Sequence, residues 1–188
     1  MSNKEKTKQK LNQLLLDLKS ESESKVTSAI LELASIGDLS VIPPLYKFLK
    51  QKQGTNLQKQ VAKLLSDIQI SEAAEVFIQL VKNEEDSSAL KLFLPILWES
   101  KLDFSDYLAD FVEISASGDY LIALDCLTIM ENMPGPFSES QLLEAQLHLK
   151  EFVENKSEND ERKMQIISEI ALFIKDQNEG IDADLLFD

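Results

Sequence analysis

Few side chains in this sequence are of the types that carry out chemistry. The one histidine, His148, lies between two leucines, and a single imidazole is a poor basis for a metal site or a catalytic triad. The one cysteine, Cys126, lies in an apolar stretch, where a thiol packs as a small core residue. No glycine-rich phosphate-binding loop is present. We therefore predict that the protein is not an enzyme and that it binds no metal and no cofactor.

One cluster of acidic residues has a spacing that could bind a cation. The cluster consists of Asp103, Asp106, Asp110 and Glu113. Residues three and four positions apart lie on one face of a helix, so these carboxylates are expected to share a surface. Such a surface could hold a metal ion or a lysine-rich peptide. The alternative is a solvated outer face without a ligand.

The charge of the chain is strongly negative and unevenly distributed, with a formal net charge of −14. Residues 1–67 carry eleven lysines and seven acids, a net charge of +4. Residues 68–188 carry eight basic and twenty-six acidic residues, a net charge of −18. The acidic part should repel nucleic acid and anionic membranes, so we predict a protein partner with a basic or polar surface. The alternative is that the charge only keeps the protein in solution.

The distribution of apolar residues and cysteine predicts a cytoplasmic protein. Charged residues interrupt every long apolar run, so we predict no membrane segment. The lysine-rich start is not followed by an apolar core, unlike a secretory signal. A single cysteine cannot form an internal disulfide, which favours a reducing compartment. The oligomeric state is left open by the sequence.

The apolar residues recur at the three- and four-residue spacing of amphipathic helices, and no stretch alternates as a strand does. This pattern predicts an all-α protein of ten helices in five pairs. Thr55 is a predicted N-cap, and Ser138 with Gln141 has the spacing of a capping box. The predicted helices span residues 4–19, 22–36, 40–51, 56–68, 71–81, 86–100, 104–115, 119–133, 138–155 and 161–176.

The junction between the second and third helices is the most distinctive part of the sequence. Gly37 can take the left-handed conformation that closes a helix, and Asp38 or Ser40 can cap the next one. Pro43 and Pro44 fall in the first turn of that helix, where a missing N–H costs little. The apolar spacing of this helical pair recurs in the pair that follows. These features, an inner helix, the turn of Ile36, Gly37 and Asp38, and an outer helix that opens with proline, resemble the junction between two HEAT repeats.

The resemblance to HEAT-repeat proteins implies a right-handed α-α superhelix of about five helical pairs. It also implies a non-catalytic scaffold that binds a protein partner through its inner helices. We predict one solenoid domain over residues 1–178 and an acidic-hydrophobic tail at residues 179–188. The chain departs from the family because the usual arginine of the inner helix is missing, and its only arginine is Arg162. An irregular all-α bundle is the alternative architecture.

Some HEAT-like proteins are DNA glycosylases, which grip the nucleic-acid backbone with a basic groove. A nucleic-acid-binding relative of these enzymes is therefore the alternative function. Other HEAT-like enzymes bind iron through repeated His-Glu pairs, and this sequence contains no such pair.

The sixth predicted helix is the expected centre of the partner site. Between Ala89 and Trp98 only Lys91 is polar, and Pro95 predicts a kink. A helix that is apolar on all sides must be covered on all sides, or else it exposes an adhesive surface. The alternative is that Trp98 is a plain core residue.

Aromatic anchors surrounded by charge are the usual pattern of an interaction hot spot. We therefore predict that two aromatic residues anchor the partner and three charged residues form the rim. The predicted anchors are Trp98 and Tyr120, and the predicted rim is Lys91, Asp125 and Glu131.

Overall fold

The computed structural model describes residues 3–36, 39–51, 54–155 and 160–185. Within these ranges the chain is all-α, as predicted, with ten α-helices, two short 3-10 turns and no strand. The predicted capping residues Gly37 and Asp38 lie outside the described residues.

The ten helices follow the predicted order, and each overlaps its predicted range. Two 3-10 turns, Leu39–Val41 and Ser105–Tyr107, lead into the third and seventh helices. The helices are α1 (Asn3–Asp17), α2 (Glu23–Ile36), α3 (Ile42–Gln51), α4 (Asn56–Ser66), α5 (Ala73–Lys82), α6 (Ser87–Glu99), α7 (Leu108–Ser117), α8 (Tyr120–Glu131), α9 (Glu139–Glu154) and α10 (Glu161–Leu185).

The last helix extends furthest beyond its predicted end. We expected α10 to stop at Asp176, but it continues to Leu185 and so through most of the predicted tail. No proline interrupts this stretch, and a single glycine such as Gly180 costs a helix only about 1 kcal/mol. The acidic composition of the predicted tail therefore did not end α10.

The chain divides into two compact units. The first, here called the N-unit, contains Met1–Phe77 and Glu99–Leu102. The second, here called the C-unit, contains Ile78–Trp98 and Asp103–Asp188. The boundary passes through α5. The single superhelical domain over residues 1–178 stays a prediction, and so does the kink at Pro95, a residue that lies inside α6.

The N-unit contains two helical pairs and the first half of α5. In this unit α1 packs on α2, α3 packs on α4, and the pairs meet through α2 and α4. All four helices contribute buried leucines to the core, among them Leu14, Leu33, Leu45 and Leu65. Each of these helices buries an apolar stripe, as the amphipathic spacing predicts, and α1 and α2 also expose Leu16 and Leu31.

The turn between α3 and α4 is closed by the predicted cap. The Gln58 N–H donates to Thr55 Oγ1 at 3.1 Å. The Gln58 side-chain oxygen accepts from the N–H of Gly54 at 2.8 Å, so two backbone donors are satisfied around one helix start. Gly54 has a φ of 75°, in the left-handed region that favours glycine.

The C-unit is built around α7. This helix packs on α8 and α9, and α10 packs on both of those helices. Phe93, Phe111 and Ile122 are fully buried. The ring of Phe111 also makes a T-shaped contact with Phe104, with a centroid distance of 5.8 Å. Helices α6, α7 and α8 each bury residues on more than one side.

Side-chain caps define the starts of α8 and α9. The Asp119 carboxylate accepts from the N–H groups of Leu121 and Ile122. Ser138 Oγ accepts from the Gln141 N–H at 3.2 Å, as predicted. The Gln141 oxygen instead accepts from the N–H of Ala109 at 2.9 Å. This residue therefore links the start of α9 to the start of α7, a long-range contact that local spacing does not reveal.

Candidate interaction site

The two side chains best suited to chemistry lie in structural positions. Cys126 is fully buried in α8, and this burial, together with the nearby Asp125 carboxylate, raises the pKa of its thiol far above the ordinary value. His148 is half-buried on α9, with Nδ1 at 3.8 Å from a carboxylate oxygen of Glu151 one turn later. In the part of the chain that the structure describes, no three His, Cys, Asp or Glu side chains are grouped so that they could hold a metal ion.

The predicted acidic face is partly occupied by a cation of the protein itself. Lys82 of α5 forms an ion pair with Asp110 and lies 3.8 Å from Glu113. The hydrogen bond to Asp110 raises the pKa of Lys82 and so keeps its charge in place. Asp103 accepts from the N–H of Ser105 at 2.8 Å and caps the turn before α7. These contacts favour a structural role for the face.

The exposed stripe of α6 contains two of the predicted contact residues. Lys91, Pro95 and Trp98 lie at four- and three-residue spacing, so they share one side of the helix. Trp98 is 40% exposed, whereas Phe93, Leu94 and most other apolar residues of α6 are buried. We call Lys91, Pro95 and Trp98 the α6 stripe.

An ion pair connects this stripe to the start of α8. The Lys91 ammonium pairs with the carboxylate of Asp119, which is the N-cap of α8. Partial burial opposes ionisation of Asp119, but hydrogen bonds from Lys91 and from the Ile122 N–H prevail and lower its pKa. The structure therefore brings Lys91 to the beginning of α8, next to the predicted anchor Tyr120.

Tyr120 already has a partner within the C-unit. The guanidinium of Arg162 lies 4.9 Å from the centroid of the Tyr120 ring, a cation–π contact between α8 and α10. Arg162 also donates to the carboxylate of Asp160 at 3.4 Å. The guanidinium of Arg162 thus occupies one face of the Tyr120 ring.

The two predicted acidic rim residues lie further along α8. Asp125 is half-buried, and desolvation raises the pKa of its carboxyl group. Glu131 is exposed at the last position of the helix, far from the Lys91–Asp119 pair. Between them and Tyr120 lies Leu121, which is 50% exposed. An ion pair links Lys91 to the start of α8, whereas Glu131 lies at the opposite end of that helix, so the predicted site residues do not converge on a single point.

Sequence reasoning missed two apolar grooves in the N-unit. One groove, with a volume of about 610 Å³, lies between α2 and α4 and is walled by Ile30, Leu31, Leu64 and Ile68. The other lies between α1 and α3 and has a volume of about 800 Å³. Leu31 and Leu16, one in the wall of each groove, are 67% and 60% exposed. Leu16 and Leu31 lie off the three- and four-residue spacing that the buried residues of their helices follow, and this departure was the signal available in the sequence.

None of the described helices is long and apolar enough to cross a lipid bilayer. A comparison of the chain with known protein families, with curated proteins and with solved structures finds no match.

Proposed function

We propose that the protein is a non-catalytic, HEAT-like interaction module that binds a basic or polar protein surface along the α6 stripe and the neighbouring start of α8. The observation that carries this proposal is the exposure of Trp98 on a helix whose other large apolar residues, apart from the partly buried Leu92, are buried. Tryptophan is enriched at interaction hot spots because it buries a large apolar area and still offers one polar N–H group.

The charge around this stripe supports a basic partner. Residues 68–188 carry a net charge of −18, so a basic surface is attracted toward the C-unit before contact. Glu131 is exposed at the end of α8 and Asp125 is half-buried on the same helix, and both carboxylates add to the negative charge that attracts a basic partner. These charges mainly raise the association rate, whereas the aromatic anchor slows dissociation.

Lys91 and Tyr120 take a different role in this proposal from the one predicted. Lys91 is paired with Asp119, and Tyr120 lies under Arg162. Lys91 therefore holds the start of α8 near α6, whereas Tyr120 connects the start of α8 to the start of α10. The main anchor is Trp98, with Leu121 adding exposed apolar area.

The proposed compartment is the cytoplasm. The single cysteine is fully buried and cannot form an internal disulfide, which suits a protein of a reducing environment.

Site-specific crosslinking tests the proposal. A photoreactive phenylalanine replaces Trp98, and the matched control carries it at Leu172, which is also exposed and lies in the same unit. In extracts of the native cell, position 98 should capture a discrete protein with a basic surface, and excess unmodified protein should compete. Excess Trp98→Ala protein should compete at least tenfold less well, since a central anchor contributes about 2 kcal/mol.

Stability measurements separate a contact residue from a core residue. Trp98→Ala should lower the free energy of unfolding by less than about 1 kcal/mol, whereas Phe93→Ala should lower it by about 3–5 kcal/mol. Equal capture at positions 98 and 172, or a strong loss of stability in Trp98→Ala, would contradict the proposal. Salt-dependent retention on immobilised DNA would favour the nucleic-acid alternative.

A further inference from the structure

The groove between α1 and α3 is a second surface with the features of a binding site. It results from the way the two helical pairs of the N-unit meet. The pairs join through α2 and α4, and within the described residues α1 and α3 pack little against each other. An open trough of about 800 Å³ remains between them.

The walls of this groove are apolar on both sides. Leu15, Leu16 and Leu18 come from the α1 side, and Pro43, Pro44 and Phe48 come from α3. Leu18 and Phe48 are buried, whereas Leu16 is 60% exposed and stands at the edge. The two prolines have no N–H group, so this part of the wall offers ring carbons and no backbone donor.

Two lysines stand at the edge of the groove, and no acidic residue lines it. Lys19 follows the end of α1, and Lys47 lies in the middle of α3. Both are exposed, and neither forms an ion pair with any residue in the described ranges. In the α2–α4 groove, by contrast, Lys63 is held by Asp67 at 2.7 Å. The α1–α3 groove therefore combines an apolar floor with two uncompensated positive charges.

We propose that the α1–α3 groove binds an acidic amphipathic helix of a protein partner. The apolar face of such a helix, repeating every three to four residues, fills the trough between the leucines of α1 and the prolines of α3. Carboxylates on the two flanks of that helix reach Lys19 on one wall and Lys47 on the other. A fatty acid fits less well, because it carries a single charge at one end, whereas the lysines lie on opposite walls.

This inference does not depend on the proposed function. It concerns the other unit and a partner of the opposite charge. The surplus of lysine over acid in residues 1–67 supports it, since the surrounding surface also attracts an anionic partner.

A pair of designed peptides tests the proposal with the full-length protein. The probe is a fluorescein-labelled helix of about fifteen residues, with leucine on one face at i, i+3, i+4 and i+7 and glutamate at most other positions. The control peptide has the same leucines and lysine in place of glutamate. In anisotropy titrations the glutamate peptide should bind at least about tenfold more tightly than the lysine peptide.

Matched variants locate the binding site. Lys19→Glu/Lys47→Glu should weaken binding of the glutamate peptide by about tenfold or more, since both flanking attractions become repulsions. Lys8→Glu/Lys59→Glu makes the same change in net charge outside this groove and should leave the affinity within about threefold. Leu16→Gln should also weaken binding, whereas Leu31→Gln, in the other groove, should not.

These substitutions lie on exposed side chains, so far-UV circular dichroism should show unchanged helix content in every variant. Equal affinity for the two peptides would overturn the proposal. So would an equal loss in both charge-reversal variants, or dodecanoate binding that is lost in Lys19→Glu/Lys47→Glu while the glutamate peptide fails to bind.

Discussion

The two units of this protein differ in how far their lysines take part in the packing of helices. In the C-unit, Lys82 and Lys91 form ion pairs with carboxylates of neighbouring helices, and Lys163 donates to the Ala116 carbonyl at 3.0 Å. In the N-unit, Lys19 and Lys47 are exposed beside an apolar groove and form no ion pair with a described residue. These C-unit lysines thus connect neighbouring helices, whereas Lys19 and Lys47 are left for solvent or a partner.

The local charge balance explains this difference. In the C-unit carboxylates outnumber cations, so a lysine that reaches a neighbouring helix readily finds an acidic partner. The N-unit has a surplus of lysine, and its ion pairs, such as Lys10 with Glu32, lie on the exposed surface. Exposed pairs of this kind contribute less than about 1 kcal/mol. The fold of the N-unit therefore depends on its apolar stripes and caps, and most of its lysines are dispensable for stability.

Adding a side chain to a glycine in an interhelical turn should produce the largest difference in stability between the two units. A Cβ atom on Gly118, between α7 and α8, would lie 2.3 Å from Cγ2 and 2.7 Å from Cβ of Ile122. These atoms are held close to the α8 backbone, so Gly118→Ala should lower the free energy of unfolding by about 3 kcal/mol, the upper part of the range for overpacking. Urea denaturation would measure the change.

Gly54→Ala is the matched substitution in the N-unit. No atom lies within 4 Å of the added Cβ there, and only the left-handed φ of 75° opposes it. Its expected cost is about 1 kcal/mol. If the two substitutions cost the same, the C-unit is not the more tightly packed of the two at its turns.

The buried lysine of the C-unit allows a test of intermediate size. Lys163 is 4% exposed, and its ammonium lies 5.0 Å from the centroid of the Phe152 ring. Lys163→Met keeps the length of the side chain but leaves the carbonyl at the end of α7 without its charged donor. We expect a loss of about 2 kcal/mol in the free energy of unfolding, measured with urea. Lys47→Met in the N-unit should change it by less than about 0.5 kcal/mol, and a similar loss in both would contradict the contrast between the units.

Removing the Lys91–Asp119 pair should produce the smallest change in the free energy of unfolding, and that change should depend on pH. At pH 7, Lys91→Met should cost less than about 1 kcal/mol, because both side chains are partly exposed. The folded protein lowers the pKa of Asp119, so the pair stabilises the protein above the ordinary aspartate pKa of about 3.9. That stabilisation is lost as the pH falls through the lower, folded-state pKa.

The difference in stability between the unaltered protein and Lys91→Met should therefore shrink below about pH 4. Lys59→Met is the control in the N-unit, since Lys59 forms no ion pair with a described residue. Its effect on the free energy of unfolding should be small at every pH. A difference for Lys91→Met that stays constant down to pH 2 would show that the pair contributes through packing alone.

The helices themselves were predictable because their causes are local. The three- and four-residue spacing of apolar residues predicted ten helices in the correct order, and Thr55 and Ser138 cap α4 and α9 as expected. A cap bonds to an N–H only three residues away, so the sequence specifies it directly. The all-α class follows from the same local patterns.

The tertiary structure alone decided which charges and apolar residues remain available. Lys91 and Lys163 look alike in the sequence, yet one pairs with an N-cap on α8 and the other is buried against α7. Trp98 and Phe93 both lie in one apolar run, yet only Trp98 faces outward. The grooves beside Leu16 and Leu31 exist because helical pairs meet along some faces and leave others apart. Such contacts join residues distant in sequence, and periodicity within one helix does not specify which neighbour covers which face.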